Sequence, residues 1–188
     1  NQLTSLDISQ NTALNSLEFY FNQLTSLDIS QNTALSTLNC NYNQLTSLDV
    51  SNNTALNDIH CIYNQLTTLD LSQNTSLVFL NCEANNLTNL DLRNGNNTNF
   101  TFFHASQNPN LNCISVDDAT WATANWTDID SHTSFSPNCD KTYVPDDNFE
   151  AYLETHDASG NVVSVGDANS MGDGIANNDY VNTANISG

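Results

Sequence analysis

The side chains of this sequence that are grouped for chemistry suit ligation better than catalysis. Asp167, Asn169, Asp173 and Asp179, within DANSMGDGIANND, offer hard oxygen ligands at a spacing that resembles a calcium loop. The stretch departs from the EF-hand pattern at Met171, which stands where a ligand is usual, and it lacks the bidentate Glu. Calcium is thus the one cofactor suggested, and only for this tail. Glu18 and Glu83 fall three repeats apart, roughly 14 Å at ~4.8 Å per strand, wider than the carboxylate pairs of glycosidases. His60 and His104 read as single outward imidazoles without a partner. No nucleophile elbow, HExxH, phosphate loop or CxxC occurs. No catalytic residue is assigned, and the expectation is a non-enzyme.

The charge balance narrows the partners. Two Lys plus Arg against 21 Asp plus Glu leave a net charge of -19, which repels nucleic acid and anionic membrane surfaces. Eight of the acids fall in residues 1–112 and thirteen in 113–188. No apolar run approaches the ~20 residues needed to span a bilayer. Both ends read as cut from a longer chain, the first inside a repeat and the last before a new element.

The elements that must position these groups follow from a 21-residue period: Asn1–Phe21, Asn22–Tyr42, Asn43–Tyr63, Asn64–Ala84, then a looser copy from Asn85. Each copy splits into two halves with one grammar, LxxLxLxxN, as in Leu3, Leu6, Ile8, Asn11 and then Leu14, Leu17, Phe19, Asn22. Alternation in each L-x-L puts the leucines on one side of a short strand and the intervening residue on the other. Every half repeat therefore reads as a strand and a corner, with the Asn columns at the corners satisfying backbone groups that leave the ladder. A single coil buries too little apolar surface to offset the entropy of ordering it, so the copies must stack.

This pattern over residues 1–112 resembles the leucine-rich repeats of the nested, IRREKO type. The segments NPNLNCISVDDATWATANWTDID and YVPDDNFEAYL look like caps and spacers in secreted surface proteins of Bacteroidetes. The resemblance implies a mainly β solenoid with parallel short strands on both faces, used extracellularly for binding rather than chemistry.

The two faces differ. Along the strand holding Leu17 and Phe19, the outward columns vary: Glu18, Asn39, His60, Asn81, His104 in one, and Tyr20, Asn41, Ile62, Glu83, Ser106 in the next. Phe21, Tyr42 and Tyr63 run beside them, with Phe79 and Phe102 earlier in the strand. Exposed aromatics among amides and carboxylates suit a polysaccharide or a protein partner. Phe21, Tyr42 and Tyr63 could equally pack a corner. The other face is monotonous: Asp7, Asp28, Asp49, Asp70 and Asp91 flanked by Ser and Thr columns. Hydrogen bonding to nearby backbone and hydroxyls is the reading adopted for these carboxylates; a row of cations is the alternative. The hydroxyl columns also raise ice binding, against which the charged Asp column speaks.

Cys40, Cys61 and Cys82 take the place of Phe19 and read as inward, buried hydrophobes. Cys113 and Cys139 bracket the stretch that departs from the repeat, and in a chain read as extracellular they are expected to be joined. Within that stretch Ser115 and Asp118 have capping-box spacing ahead of a short helix whose Trp121 and Trp126 cover apolar core, with sugar stacking by these rings as the secondary reading. Pro145–His156 reads as a second helix, with Asp147 and Glu150 in capping-box spacing and Phe149, Tyr152 and Leu153 on one face. The expected layout is a solenoid over 1–112, a disulfide-closed cap over 113–140, and a cap-like helical segment of a following array over 141–188. Two functions fit: recognition of an external polysaccharide or protein by the varied face, or a stalk that spaces other domains.

Overall fold

The computed structural model describes residues 1–139, 141–143, 147–159, 161–165, 170–171 and 180–182. The chain forms two compact units, Asn1–Pro137 and Asn138–Gly188. The calcium-loop residues Asp167, Asn169, Asp173 and Asp179 lie outside the described residues.

In the first unit each copy supplies one three-residue strand to a five-stranded parallel sheet: β1 (Ser16–Glu18), β2 (Thr37–Asn39), β3 (Asp58–His60), β5 (Phe79–Asn81) and β7 (Phe102–His104). The opposite sheet contains β4 (Thr68–Asp70), β6 (Asn89–Asp91), β8 (Cys113–Ser115) and β9 (Ser134–Ser136), again parallel. Leu17, Leu38, Ile59 and Leu80 align in register and are buried, so the interior row required by the repeat is present. Leu24, Leu45, Leu66 and Leu87 form a second fully buried row.

The second face departs from the expectation of a strand in every half repeat, because the strands there start only at Thr68. Earlier coils join through single bonds such as Gln44 N–H to Leu24 C=O at 2.9 Å, while later ones add bonds such as Thr88 N–H to Thr67 C=O at 2.8 Å. Thr68 replaces the serine of the earlier copies, and a β-branched residue favours the pleated backbone.

The corners are held by asparagine. Asn43, Asn64, Asn85 and Asn108 donate Nδ2 to carbonyls of their own and the preceding coil, and each accepts at Oδ1 a leucine N–H from the preceding coil, as Asn64 does from Leu45 at 3.0 Å. Asn32, Asn53 and Asn74 on the other edge also donate twice, but their buried Oδ1 atoms accept nothing. Cys40, Cys61 and Cys82 are wholly buried. Loss of solvation pushes the Cys40 and Cys82 thiols up to about 12 and Cys61 well above its ordinary value.

After the repeats, β8 and β9 continue the second sheet, and a seven-residue helix, α1 (Ala119–Asn125), connects them. The helix stands where expected, with a different cap: Asp118 accepts the Trp121 N–H at 3.0 Å, while Ser115 is buried within β8. The capping-box pair therefore does not form, because Ser115 is held in the sheet. Trp126 is buried against Phe103 and Trp121 is half-buried. Cys113 and Cys139 are joined by a disulfide.

In the second unit β10 (Lys141–Tyr143) pairs antiparallel with β11 (Tyr180–Asn182), and α2 spans Asp147–Thr155. Leu153 is buried. Tyr152, expected on the same face, is 44% exposed and lies on the His156 ring at 3.9 Å. One turn separates these two side chains, and the imidazole gives the Tyr ring an apolar partner outside the core.

Candidate functional site

The five-stranded sheet sets residues one coil apart side by side, so like columns become rows. Ser16, Thr37, Asp58, Phe79 and Phe102 share one row, and the last two rings stack at 4.4 Å and 9°. The His60 ring extends this stack, 4.5 Å from Phe79. Its Nε2 sits 2.9 Å from Asp58 Oδ1, outside hydrogen-bond geometry. Sequence reasoning missed Asp58, although Asp58 and His60 are two apart on one strand and so must face the same way.

A second ring stack follows the corner. Phe21 and Tyr42 stack at 4.3 Å, and Tyr42 and Tyr63 at 4.8 Å. These three, with Ala84 and Gln107, adopt left-handed backbone at φ 51 to 59° with no glycine among them. That conformation costs an L-residue about 1–2 kcal/mol. It persists because the N–H of each of the first four is drawn to a carbonyl of the next coil, as Tyr42 N–H is to Ile62 C=O at 2.8 Å. Such a corner turns its side chain outward: Phe21 is 56% exposed and Tyr63 47%. The rings pack the corner against one another while their outer surfaces face solvent. Tyr20 is exposed and meets Phe21 edge-on at 6.0 Å.

The polar residues of this face are less free than their spacing suggests. Asn81 is buried, and its Oδ1 accepts the Glu83 N–H at 3.2 Å. This corrects its reading as an outward ligand: an amide that closes a local turn is drawn inward. Asn39 accepts the Asn41 N–H at 3.3 Å, and Asn41 accepts the Ile62 N–H at 2.7 Å. Glu18 is exposed and Ile62 half-buried.

His104, read as having no partner, has two. Its Nε2 is 2.8 Å from Ser106 Oγ, and its Nδ1 is 3.8 Å from Glu83 Oε2. Gln107 donates to the other Glu83 oxygen. The order is that of a nucleophile, base and acid, but 3.8 Å is beyond hydrogen-bond range. Glu83 therefore does not orient the imidazole, and the group is a surface hydrogen-bond cluster.

The aspartate face is self-contained. Asp7, Asp28, Asp49 and Asp70 each accept the N–H of the Ser two residues on, at 2.9–3.0 Å. The Ser9 and Ser30 amides and hydroxyls hold the Asp7 and Asp28 carboxyls below their ordinary value, and the Ser51 hydroxyl and amide do the same for Asp49. Partial burial pushes Asp91 up, but Arg93 outweighs it with two-pronged bonds, including Nη2 to Oδ2 at 2.6 Å. Hydrogen bonding thus accounts for this column. Among the described residues, no three His, Cys, Asp or Glu side chains gather to hold a metal.

No protein-family model matches the sequence, and no curated protein matches it. Solved structures are similar, two internalin structures among them. The functional domain of InlJ from Listeria monocytogenes, which includes a cysteine ladder, matches at 38% identity over 58% of this chain, with a TM-score of 0.51. An internalin, InlF, from the same species matches at 25% identity over 69% of this chain, with a TM-score of 0.53. The chain spans 26% and 38% of those two proteins respectively. This chain stacks its own three cysteines in one buried column, and its fold is a parallel-strand β-solenoid of the leucine-rich-repeat kind, similar to these internalins.

Proposed function

We propose that the five-stranded face is the recognition surface of an extracellular, non-catalytic binding module whose partner is a protein. The observation that carries this reading is the pair of ring stacks, Phe21–Tyr42–Tyr63 and His60–Phe79–Phe102, held outward from the leucine-rich core. The left-handed corner keeps the first stack outside at a cost in backbone strain, a cost that concentrates at functional positions. Exposed aromatic clusters are the anchors of protein interfaces. The likeness to two internalins supports the same reading, and the disulfide suits an oxidising compartment.

A protein is favoured over a polysaccharide on this face because Asn39, Asn41 and Asn81, which would bond sugar hydroxyls, already serve the scaffold. The alternative is a stalk that only spaces other domains. Tyr42→Ala, His60→Ala and Phe79→Ala together separate the two. Recognition requires that pull-down of a partner be lost with melting temperature nearly unchanged; a stalk shows no partner for either version.

A further inference from the structure

The cleft where β7 meets the cap helix α1 shares only Phe102 with that reading. It holds about 260 Å³, and its lining includes Phe100, Phe102, Trp121, Asn125, Trp126 and Asp128. Its back is a locked aromatic cluster: Trp126 stacks on Phe103 at 4.2 Å, and Trp121 stands edge-on to Trp126 at 5.5 Å. Phe102 is 37% exposed, and Trp121 is half-buried.

Several of its polar side-chain atoms are not used by the scaffold. Asp128 holds the fold through its backbone carbonyl, which accepts the Ala105 N–H at 2.9 Å, and Asn125 through its Nδ2, which donates to Trp121 C=O at 2.8 Å. Among the described residues, nothing hydrogen-bonds to the Asp128 carboxylate or to Asn125 Oδ1. The indole N–H of Trp126 also has no partner there, although the residue is only 6% exposed. This N–H is not sealed from solvent, and Trp126 lines the cleft, so a ligand hydroxyl there can serve as its acceptor.

We propose that this cleft binds one neutral pyranose ring, a sugar subsite that adjoins the protein-binding face at Phe102. A hydroxyl both donates and accepts, and the cleft sets an unpaired donor, the Trp126 N–H, beside unpaired acceptors, Asp128 and Asn125 Oδ1. Phe102 and Trp121 supply planes for the apolar side of a ring. An arginine would suit the rings and the carboxylate, but a guanidinium only donates and would leave the Trp126 N–H unpaired. The net charge of -19 disfavours an anionic sugar.

Trp121 and Trp126 are the only tryptophans of the chain, so the indole fluorescence of the whole protein reports on this cleft alone. The probes are the methyl glycosides of glucose, galactose and mannose, with methyl glucuronide and arginine amide as charged controls. At least one neutral glycoside should shift the emission saturably, with a Kd on the order of 1 mM, and Asp128→Asn should weaken it about tenfold. Trp121→Ala should abolish the saturable change. Tyr42→Ala, in the other ring stack of the protein-binding face and away from Phe102, should leave it intact, so the two readings fail independently. Should Trp121→Ala not fold, Asp128→Asn retains the backbone carbonyl that accepts Ala105 N–H and decides alone. No saturable shift from any neutral glycoside, a shift from arginine amide only, or unchanged affinity in Asp128→Asn overturns the proposal.

Discussion

On the aspartate side of the solenoid the outward carboxylates of Asp7, Asp28, Asp49 and Asp70 each turn back to accept an N–H two residues on; on the other side rings stack in rows and keep their outer surfaces bare. The same half-repeat builds both. The difference lies in what occupies the outward position: a short carboxylate reaches its own backbone, whereas an aromatic ring cannot and meets only the ring one coil away. A column that closes on itself can repeat unchanged. A column that leaves surface over is where a partner can act, and there the residues vary.

The sharpest test of this contrast transfers the substitutions from one side to the other. Asp28→Asn, Asp49→Asn and Asp70→Asn together should leave partner capture intact, where the Tyr42, His60 and Phe79 alanine triple removes it entirely. If the aspartate variant lost capture instead, the faces would have to be exchanged.

The edges that join the faces give the next largest effect. Asn64→Ala strands a buried Leu45 N–H and several carbonyls and should cost about 3 kcal/mol by chemical denaturation, at about 1–3 kcal/mol per stranded group. Asn53→Ala should cost about 1 kcal/mol less, because its Oδ1 accepts nothing and no N–H is stranded. Equal losses would show that the two edges do not differ.

A smaller effect sharpens the contrast through pH. Asp7, Asp28, Asp49 and Asp91 have carboxyls lowered in the folded chain. Their stabilisation is complete above the unfolded value near ~4 and is lost as pH falls through the folded values. Thermal melts should therefore drop below about pH 4, and Asp→Asn changes on this face should flatten that limb while Tyr42→Ala should not. An unchanged acid limb in the aspartate variants would remove these carboxylates from the account.

Much of this was legible beforehand. The Leu17, Leu38, Ile59, Leu80 row, the buried cysteine column, the cap helix and the Cys113–Cys139 pair followed from period, alternation and context. The candidate site was legible in outline only: Phe79, Tyr42 and His60 stand outward, but Asn81 is buried and His60 has Asp58 beside it. For the sugar cleft, stacking by Trp121 and Trp126 was legible only as a secondary reading, and the cleft itself was not. Its residues come from β7, from the two residues before it and from the segment after the repeats, with two tryptophans five apart as the hint.

Period and alternation are properties of each residue and its near neighbours, so the sequence by itself determined which side chains enter the core and which columns form. Whether an outward residue is free, stacked or committed depends on atoms 19 to 26 residues away, brought within 3–5 Å by the rise and the corner of each coil. Those distances arise only when the coils are stacked. For that reason only the tertiary structure decided the left-handed ring corner, the unmatched Asn oxygens and the cleft beside the cap helix.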